Sequence, residues 1–146
     1  MYAEKVCTQP IQLGHQPAGT LYLLTGTSSV RIDQKTPPNP TPKVPVDHIG
    51  NPTYGMISIP NSMWTAGCCV RPKGQRTESF AVIGNNVNDE YQTLTQKVTV
   101  AQLQIILQAD GNTINNGVNL FPGNPACLNN DLGKALPDRV REKGPE

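Results

Sequence analysis

The sequence predicts a mainly β protein, a β-sandwich or small β-barrel with one helix and extended arms at its two ends. Its 14 prolines and 13 glycines divide the 146 residues into short pieces. Between them lie runs rich in β-branched and apolar residues, bounded by Asn, Gly and Thr turn signals, as short strands require. Only one stretch has helical periodicity. Together these observations favour a β architecture with a single helix.

The surface predicted from composition is polar but weakly charged. Only 16% of the residues are charged, against about 25% in an ordinary soluble domain. Asn, Gln, Thr and Ser supply the polarity instead, and weak self-repulsion permits close packing against copies or partners. The net charge is +1, and basic residues are spread along the chain. We therefore expect no specific nucleic-acid binding, which needs a basic cluster.

The length fits one domain with its own core. We expect an extended N-terminal arm over 1–18, a β-rich domain over 19–130 and a charged C-terminal tail over 131–146. Five prolines between 34 and 46 predict an extended loop or a strap over another surface, with a flexible linker as the alternative. Strands are predicted at 20–26, 28–33, 54–60, 62–70, 78–84 and 92–100, with a short one near 118–121. The first two should flank a Gly-Thr-Ser turn, and 54–60 should be half-buried.

A helix is favoured over 99–109. Thr99 followed by Gln102 is a capping-box pattern, and Gly111 offers a stop. Val100, Leu103, Ile106 and Leu107 share one helical face. The alternation of Leu103, Ile105 and Leu107 leaves a strand as the alternative.

The first thirteen residues have neither a basic region nor an apolar run, and no stretch approaches membrane-spanning length. We expect synthesis in a cytoplasm and no membrane partner.

The soft metal ligands of the chain are four cysteines and two histidines, His15 and His48. Structural zinc sites use ligands separated by two to four residues. The adjacent pair Cys68 and Cys69 would instead point to opposite faces of a strand. We therefore expect no metal site and no cofactor.

Catalysis is not expected either. Cys69 with His48 or His15 would be the candidate nucleophile and base, but no flanking signature accompanies them. Neither Asp47 beside His48 nor the segment NNDLG forms an acid/base or calcium pattern. Gly-rich phosphate loops are also missing. The sequence predicts no enzyme and no small-molecule substrate.

The cysteines are better candidates for disulfides. On a strand, one of the adjacent thiols should face the core beside Trp64, while the other points outward towards Cys7 or Cys127. The bond could lie within the chain or between subunits. Four reduced structural thiols are the alternative, because cytoplasmic synthesis disfavours disulfides during folding.

Short strands divided by Asn, Gly and Thr turns run through QPAGTLYLLTGTSSVRID and ESFAVIGNNVNDEYQTLTQKVTV. In this character the chain resembles tailed-bacteriophage virion proteins, of the head decoration (cement) or tail-tube type. The resemblance implies a homo-oligomeric structural subunit of a virion, whose partners are copies of itself and other capsid or tail proteins. The Pro-rich strap favours a cement protein on a head lattice.

Two alternatives follow from the same residues. A single helix after several strands favours a tail-tube subunit. A carbohydrate- or receptor-binding β-sandwich would use Trp64, Tyr54 and Tyr91 as stacking platforms, although Trp64 is better explained as a core residue.

Overall fold

A computed structural model describes residues 7, 19–41, 46–72, 76–88, 95–110, 117–128 and 139–140. Within these residues, five strands form an antiparallel sheet in the order β1–β4–β5–β6–β7, and β2 and β3 form a separate hairpin. The strands are β1 (Thr20–Ser28), β2 (His48–Asn51), β3 (Gly55–Ser58), β4 (Ser62–Val70), β5 (Glu78–Asn85), β6 (Thr95–Val98) and β7 (Arg139–Val140). The helices are α1 (Val100–Gln108) and a 3-10 helix (Pro125–Cys127). The prediction of a mainly β fold with one α-helix is confirmed, and the described strands do not close into a barrel.

Strand β1 is one continuous strand, so the prediction of two strands around a turn at Gly26 is wrong. The strand continues through Gly26, which lies opposite Trp64 in the ladder. A Cβ atom at this position would overlap the Trp64 indole ring, so the glycine makes room for a cross-strand ring rather than for a turn. The strand ends at Ser28 because Asp110 binds the chain there, accepting hydrogen bonds from the hydroxyls of Ser28 (3.3 Å) and Ser29 (2.7 Å). Residues 29–33, predicted as part of a strand over 28–33, therefore leave the sheet.

Strands β4 and β5 form where the apolar runs predicted them. They pair along nearly their full length, with Ala66 opposite Ala81 and Trp64 opposite Ile83. Both strands are buried on both faces over most of their length. Small residues make this possible: a Cβ atom at Gly67 would overlap the Phe80 ring, which lies across the glycine.

The hairpin β2–β3 was only half anticipated. The sequence predicts a half-buried strand over 54–60, whereas β3 covers Gly55–Ser58 and all its residues are exposed. Its partner β2 escaped prediction because it contains Gly50 and Asn51, residue types that are rare in strands. Gly55, which follows the turn, and Gly50, inside β2, have φ angles of 106° and 122°, in a region that glycine adopts readily and other residues do not.

The first half of the Pro-rich segment folds back on itself. Asn39 returns beside Asp33, whose backbone N–H donates to the Asn39 carbonyl (3.0 Å), and Ile32 forms an isolated bridge with Pro40. The Asp33 carboxylate accepts hydrogen bonds from the backbone N–H groups of Asn39 (2.9 Å) and Lys35 (3.1 Å). Residues 34–41 thus form a closed loop, and residues 42–45 lie outside the described part of the strap.

Helix α1 forms as the capping pattern predicts. The Thr99 hydroxyl accepts from the Gln102 backbone N–H (3.1 Å), and the Gln102 side chain accepts from the Thr99 N–H (2.8 Å). The buried residues are the four predicted for one face, Val100, Leu103, Ile106 and Leu107. Ile105 is exposed, which excludes the alternating strand. In the described part of the chain, no helix combines the length and apolar character needed to cross a bilayer.

The main core lies between this helix and the sheet. Leu103, Ile106 and the rest of the apolar face of α1 pack with Ala66, Ala81 and Ile83 on one face of the sheet. Trp64 is partly buried at the edge of the same cluster, as a core residue should be. The predicted short strand near 118–121 does not form; this segment bends over the core, with Val118, Leu120 and Phe121 packed against it.

The two predicted arms lie largely outside the described residues. Of 1–18, only Cys7 is described, and its backbone is helical and its side chain buried. Of the tail 131–146, only β7 is described, and this strand pairs with β6 at the edge of the sheet. In both segments the described residues are therefore joined to the domain.

Side-chain amides fasten the loops to the sheet. The buried Asn85 side chain donates to the Ile32 carbonyl and accepts from the Ile32 N–H, both at 2.9 Å. In the same way, Gln96 donates to the Asp33 carbonyl at 2.8 Å and Asn61 donates to the Ser29 carbonyl at 2.9 Å. An amide can both donate and accept, so it satisfies loop backbone without burying a charge. Part of the amide-rich composition therefore serves folding rather than surface polarity.

We expect Asn85→Ala to lower the free energy of unfolding by about 1–3 kcal/mol, because the Ile32 N–H and C=O would be left buried without a partner. Urea titration measures this change. The matched control is Asn88→Ala, which removes an exposed amide nearby and should change stability by less than about 0.5 kcal/mol. Equal effects of the two substitutions would contradict this role of Asn85.

The Asp33 loop gives a pH prediction. The hydrogen bond from the Asn39 N–H holds the pKa of Asp33 below its ordinary value of 3.8. A lowered folded-state pKa stabilises the protein above the unfolded pKa, and this contribution is lost as the pH falls through the folded pKa. Asp33→Asn should therefore be less stable than wild type near pH 7, and the difference should shrink at about pH 2.5. A pH-independent difference in urea midpoint would contradict it.

Candidate functional site

The two adjacent cysteines occupy opposite faces of β4. Cys68 lies on the face that carries Trp64 and Ala66, and Cys69 on the other, as the pleat of a strand requires. Across the ladder, Cys68 is opposite Tyr22 and Cys69 is opposite Leu21. The thiol that was predicted to point outward is not exposed, however, because the side chains of Cys68 and Cys69 are both fully buried. Each thiol meets a different segment of the chain.

On one face, Cys69 bonds to Cys7 with a Cα–Cα distance of 5.6 Å. Cys7 and Cys69 form a small apolar cluster with Phe80, and Leu21 packs against it. The Cys7 carbonyl also accepts a hydrogen bond from the Gly19 N–H at 2.8 Å. The disulfide therefore fixes Cys7 against β4, and the hydrogen bond joins Cys7 to Gly19, the residue before β1.

On the opposite face, Cys68 bonds to Cys127 of the 3-10 helix, again with a Cα–Cα distance of 5.6 Å. The next residue, Leu128, accepts a hydrogen bond from the Ala101 N–H in the first turn of α1 at 3.1 Å. Gln104 of the same helix accepts from the Leu120 N–H at 2.9 Å. The segment 117–128 is thus held by the sheet at one end and by the helix along its length.

These bonds answer the questions left by the sequence. Both join residues of one chain, 62 and 59 positions apart, so neither is the cross-link between subunits that was left open. All four cysteines are consumed, so the candidate nucleophile Cys69 has no free thiol, and none of the four offers a thiolate to a metal. Among the described residues, no group of three or more His, Cys, Asp or Glu is placed to hold a metal ion.

The histidine and aromatic candidates are only partly described. His48 is exposed on β2, and His15 lies outside the described residues. Of the three proposed stacking residues, Trp64 packs against the core and Tyr91 lies outside the described residues. Tyr54 is 88% exposed in the turn of the β2–β3 hairpin. The two described aromatics therefore differ: Trp64 packs against the core, and Tyr54 is exposed on the hairpin.

An apolar groove lies where the second disulfide brings residues 120–127 beside β1 and β4. Its volume is about 410 Å³. Its walls are Tyr22, Leu23, Leu24, Cys68, Val70, Leu120, Phe121, Pro122, Asn124 and Cys127, none of which carries a formal charge. Within the described residues, β1 pairs with β4 alone and forms one edge of the sheet. The groove therefore borders a strand edge to which no other described strand is paired, and such an edge is a place where another strand can add.

The hairpin β2–β3 is the second exposed apolar feature. Every residue of both strands is exposed. Ile49 and Ile57 face each other across the strands, and Met56 lies on the opposite face. Apolar side chains are therefore in water on both faces of the hairpin, and large exposed apolar side chains gathered on one small element suggest an interaction site.

Comparisons with protein-family models, with curated proteins and with solved structures find no match. The groove and the hairpin are the features on which the functional interpretation rests. Neither could be found from sequence periodicity. The groove depends on which cysteine Cys68 meets, and the hairpin depends on a strand with little strand propensity. The one available signal was the run Leu21 to Leu24, which has too many apolar residues for a half-buried strand.

We expect removal of either disulfide to destabilise the fold, while the protein remains a single chain that is not cross-linked to another. Cys68→Ala/Cys127→Ala and Cys7→Ala/Cys69→Ala should each lose about 2–5 kcal/mol of unfolding free energy, because each bond closes a long loop in the unfolded chain. Denaturant titration measures the loss. On non-reducing gels, wild type and both variants should run as single chains; a wild-type dimer that reductant removes would contradict intrachain pairing.

Proposed function

We propose that this chain is a structural subunit of a viral particle, a decoration protein that binds a head lattice and stabilises it. The observation that carries the proposal is the concentration of exposed apolar side chains on β1 and on the β2–β3 hairpin. The exposed apolar residues there are Tyr22, Leu23, Leu24, Ile49, Tyr54, Met56 and Ile57. Covering apolar surface gains about 25 cal/mol per Å², so association with other subunits is the favourable state of these surfaces.

The absence of charge on these surfaces supports the same proposal. Strand β1 contains no Asp, Glu, Lys or Arg, and neither do β2 and β3. Many proteins protect exposed edge strands with lysine or proline to prevent pairing with other chains. Strand β1 carries neither protection. An unprotected edge of nine residues is suited to permanent assembly.

A stiff body also favours assembly. The disulfides Cys7–Cys69 and Cys68–Cys127 fix segments onto both faces of β4. Their role in this proposal is therefore to hold the subunit in shape, not to join it to a neighbour. Binding costs less when the interface is already ordered before association. A subunit that reinforces a lattice benefits from this preorganisation at every copy.

The tail-tube role is the second candidate, and one observation favours it. Helix α1 packs against β5 on one face of the five-stranded sheet, which is the arrangement expected for a tube subunit with a helix against its sheet. The apolar edge of β1 suits stacking in rings as well as binding to a lattice. The position of the chain on the particle separates the two roles.

Fractionation of particles tests the proposal. Particles from the producing culture are separated on a density gradient, and an antibody against this chain is used to probe each fraction. We expect the chain to sediment with nucleic-acid-filled particles and gold-labelled antibody to decorate their heads. Label along tails would favour the tube role. A chain found only in the unsedimented fraction would contradict both roles.

A further inference from the structure

We propose that the β2–β3 hairpin of one copy seats in the apolar groove of a second copy, so that subunits join head to tail. The inference rests on the proposed function, because it names the self-contact by which such subunits would assemble. Here "the groove" is the cleft between β1, β4 and residues 120–127, and "the hairpin" is residues 48–58.

The groove is shaped and fixed before any partner arrives. The Cys68–Cys127 bond joins two of its lining residues, and Tyr22, Leu24 and Phe121 line it as well. Its volume of about 410 Å³ falls in the range of about 300–1,000 Å³ found for sites that enclose whole ligands. Apolar side chains at the end of a hairpin fit a cleft of this size and lining.

The hairpin has the complementary form. The Ile59 N–H donates to the Asp47 carbonyl at 2.7 Å and so closes the base of the hairpin, and the Asn86 side chain anchors the next residue by donating to the Pro60 carbonyl at 3.0 Å. Beyond these points its apolar side chains are exposed, Tyr54 by 88% and Ile57 by 68%. Each chain has one hairpin and one groove. In an assembly of copies, every hairpin therefore has one groove to bind.

Charge and area both favour a second copy as the occupant. The groove has no charged lining residue, and residues 48–58 contain no Asp, Glu, Lys or Arg. Contact between the two surfaces therefore buries no charged group. An aromatic side chain buries about 150–250 Å². Tyr54 together with the smaller Ile49, Met56 and Ile57 therefore offers roughly several hundred Å² of apolar surface for burial. That is the order of the about 800 Å² per partner buried in stable interfaces.

The contact is heterologous, because the hairpin and the groove are different surfaces of one chain. A heterologous contact leaves a free hairpin at one end and a free groove at the other, so it continues into a ring or an extended array. The open edge of β1 beside the groove lets an incoming hairpin strand add main-chain hydrogen bonds. A particle-wide lattice requires a contact that repeats in this way.

Complementation between two variants tests the proposal. Ile57→Lys places a charge on the hairpin, and Tyr22→Lys places one at the groove; both positions are exposed, so both variants should keep the wild-type circular dichroism spectrum. Light scattering should show wild type exceeding the 15.8 kDa of one chain as concentration rises, and each variant alone remaining at that mass. The mass of an equimolar mixture should rise to about that of two chains and no further. The intact hairpin of Tyr22→Lys then binds the intact groove of Ile57→Lys, and no other intact pair remains.

The matched control is Met63→Lys, an equal charge at an exposed apolar position on β4 that belongs to neither surface; it should assemble like wild type. If the two variants assemble as wild type does, or if their mixture remains monomeric while wild type assembles, the hairpin–groove contact is wrong and the structural role can stand. If wild type remains a single chain at every concentration, the contact is also wrong, and particle fractionation alone then decides the proposed function.

Discussion

Two covalent bonds that leave one strand in opposite directions organise this protein. Because Cys68 and Cys69 are adjacent, the pleat of β4 sends one sulfur to each face of the sheet. Cys7 covers one face, and Cys127 brings residues 117–128 onto the other, where they complete the main core and wall the apolar groove. The groove depends on the position of this segment, and the position of this segment depends on the Cys68–Cys127 bond. Folding and the candidate interaction surface are therefore set by the same constraint.

Around these bonds, neutral amide side chains hold much of the loop backbone, beside the carboxylates of Asp33 and Asp110. Loop backbone is bound by Asn61, Asn85 and Gln96. The described chain has one buried ion pair of note, in which Arg71 contacts Glu78 at 3.2 Å. With charge reduced both inside and outside, copies of the chain repel one another weakly. The same composition that closes the loops thus permits close association of subunits.

Local signals in the sequence were sufficient for some elements and not for others. Helix α1 was predictable because its cap and its buried face are both encoded within ten residues. Strand β4 was predictable because its nine residues are mostly apolar or small, carry no charge and are bounded by Pro60 and Pro72. Gly26 was misread as a turn because the reason for it, the Trp64 ring, lies 38 positions away on another strand. Strand β2 was missed because its structure comes from pairing with β3 and not from its own residues.

The candidate site was predictable only in part for the same reason. The opposite orientation of the adjacent cysteines follows from strand geometry alone, and the sequence identified the four residues involved. Their pairing does not follow, because it spans about sixty residues of chain and depends on how the loops return to the sheet. Exposure of the hairpin on both faces also depends on where the rest of the chain packs. Periodicity reports one strand at a time and cannot show this.

Disulfide mapping of the native protein is the most direct test of this account. Electron-transfer fragmentation of the peptide that contains both Cys68 and Cys69 breaks the two bonds separately, so each partner can be assigned although no protease cuts between them. The account predicts that Cys69 carries the peptide of Cys7 and Cys68 carries the peptide of Cys127, in every molecule and within one chain. The reversed pairing, a bond between Cys68 and Cys69 themselves, or free thiols at these positions would contradict it.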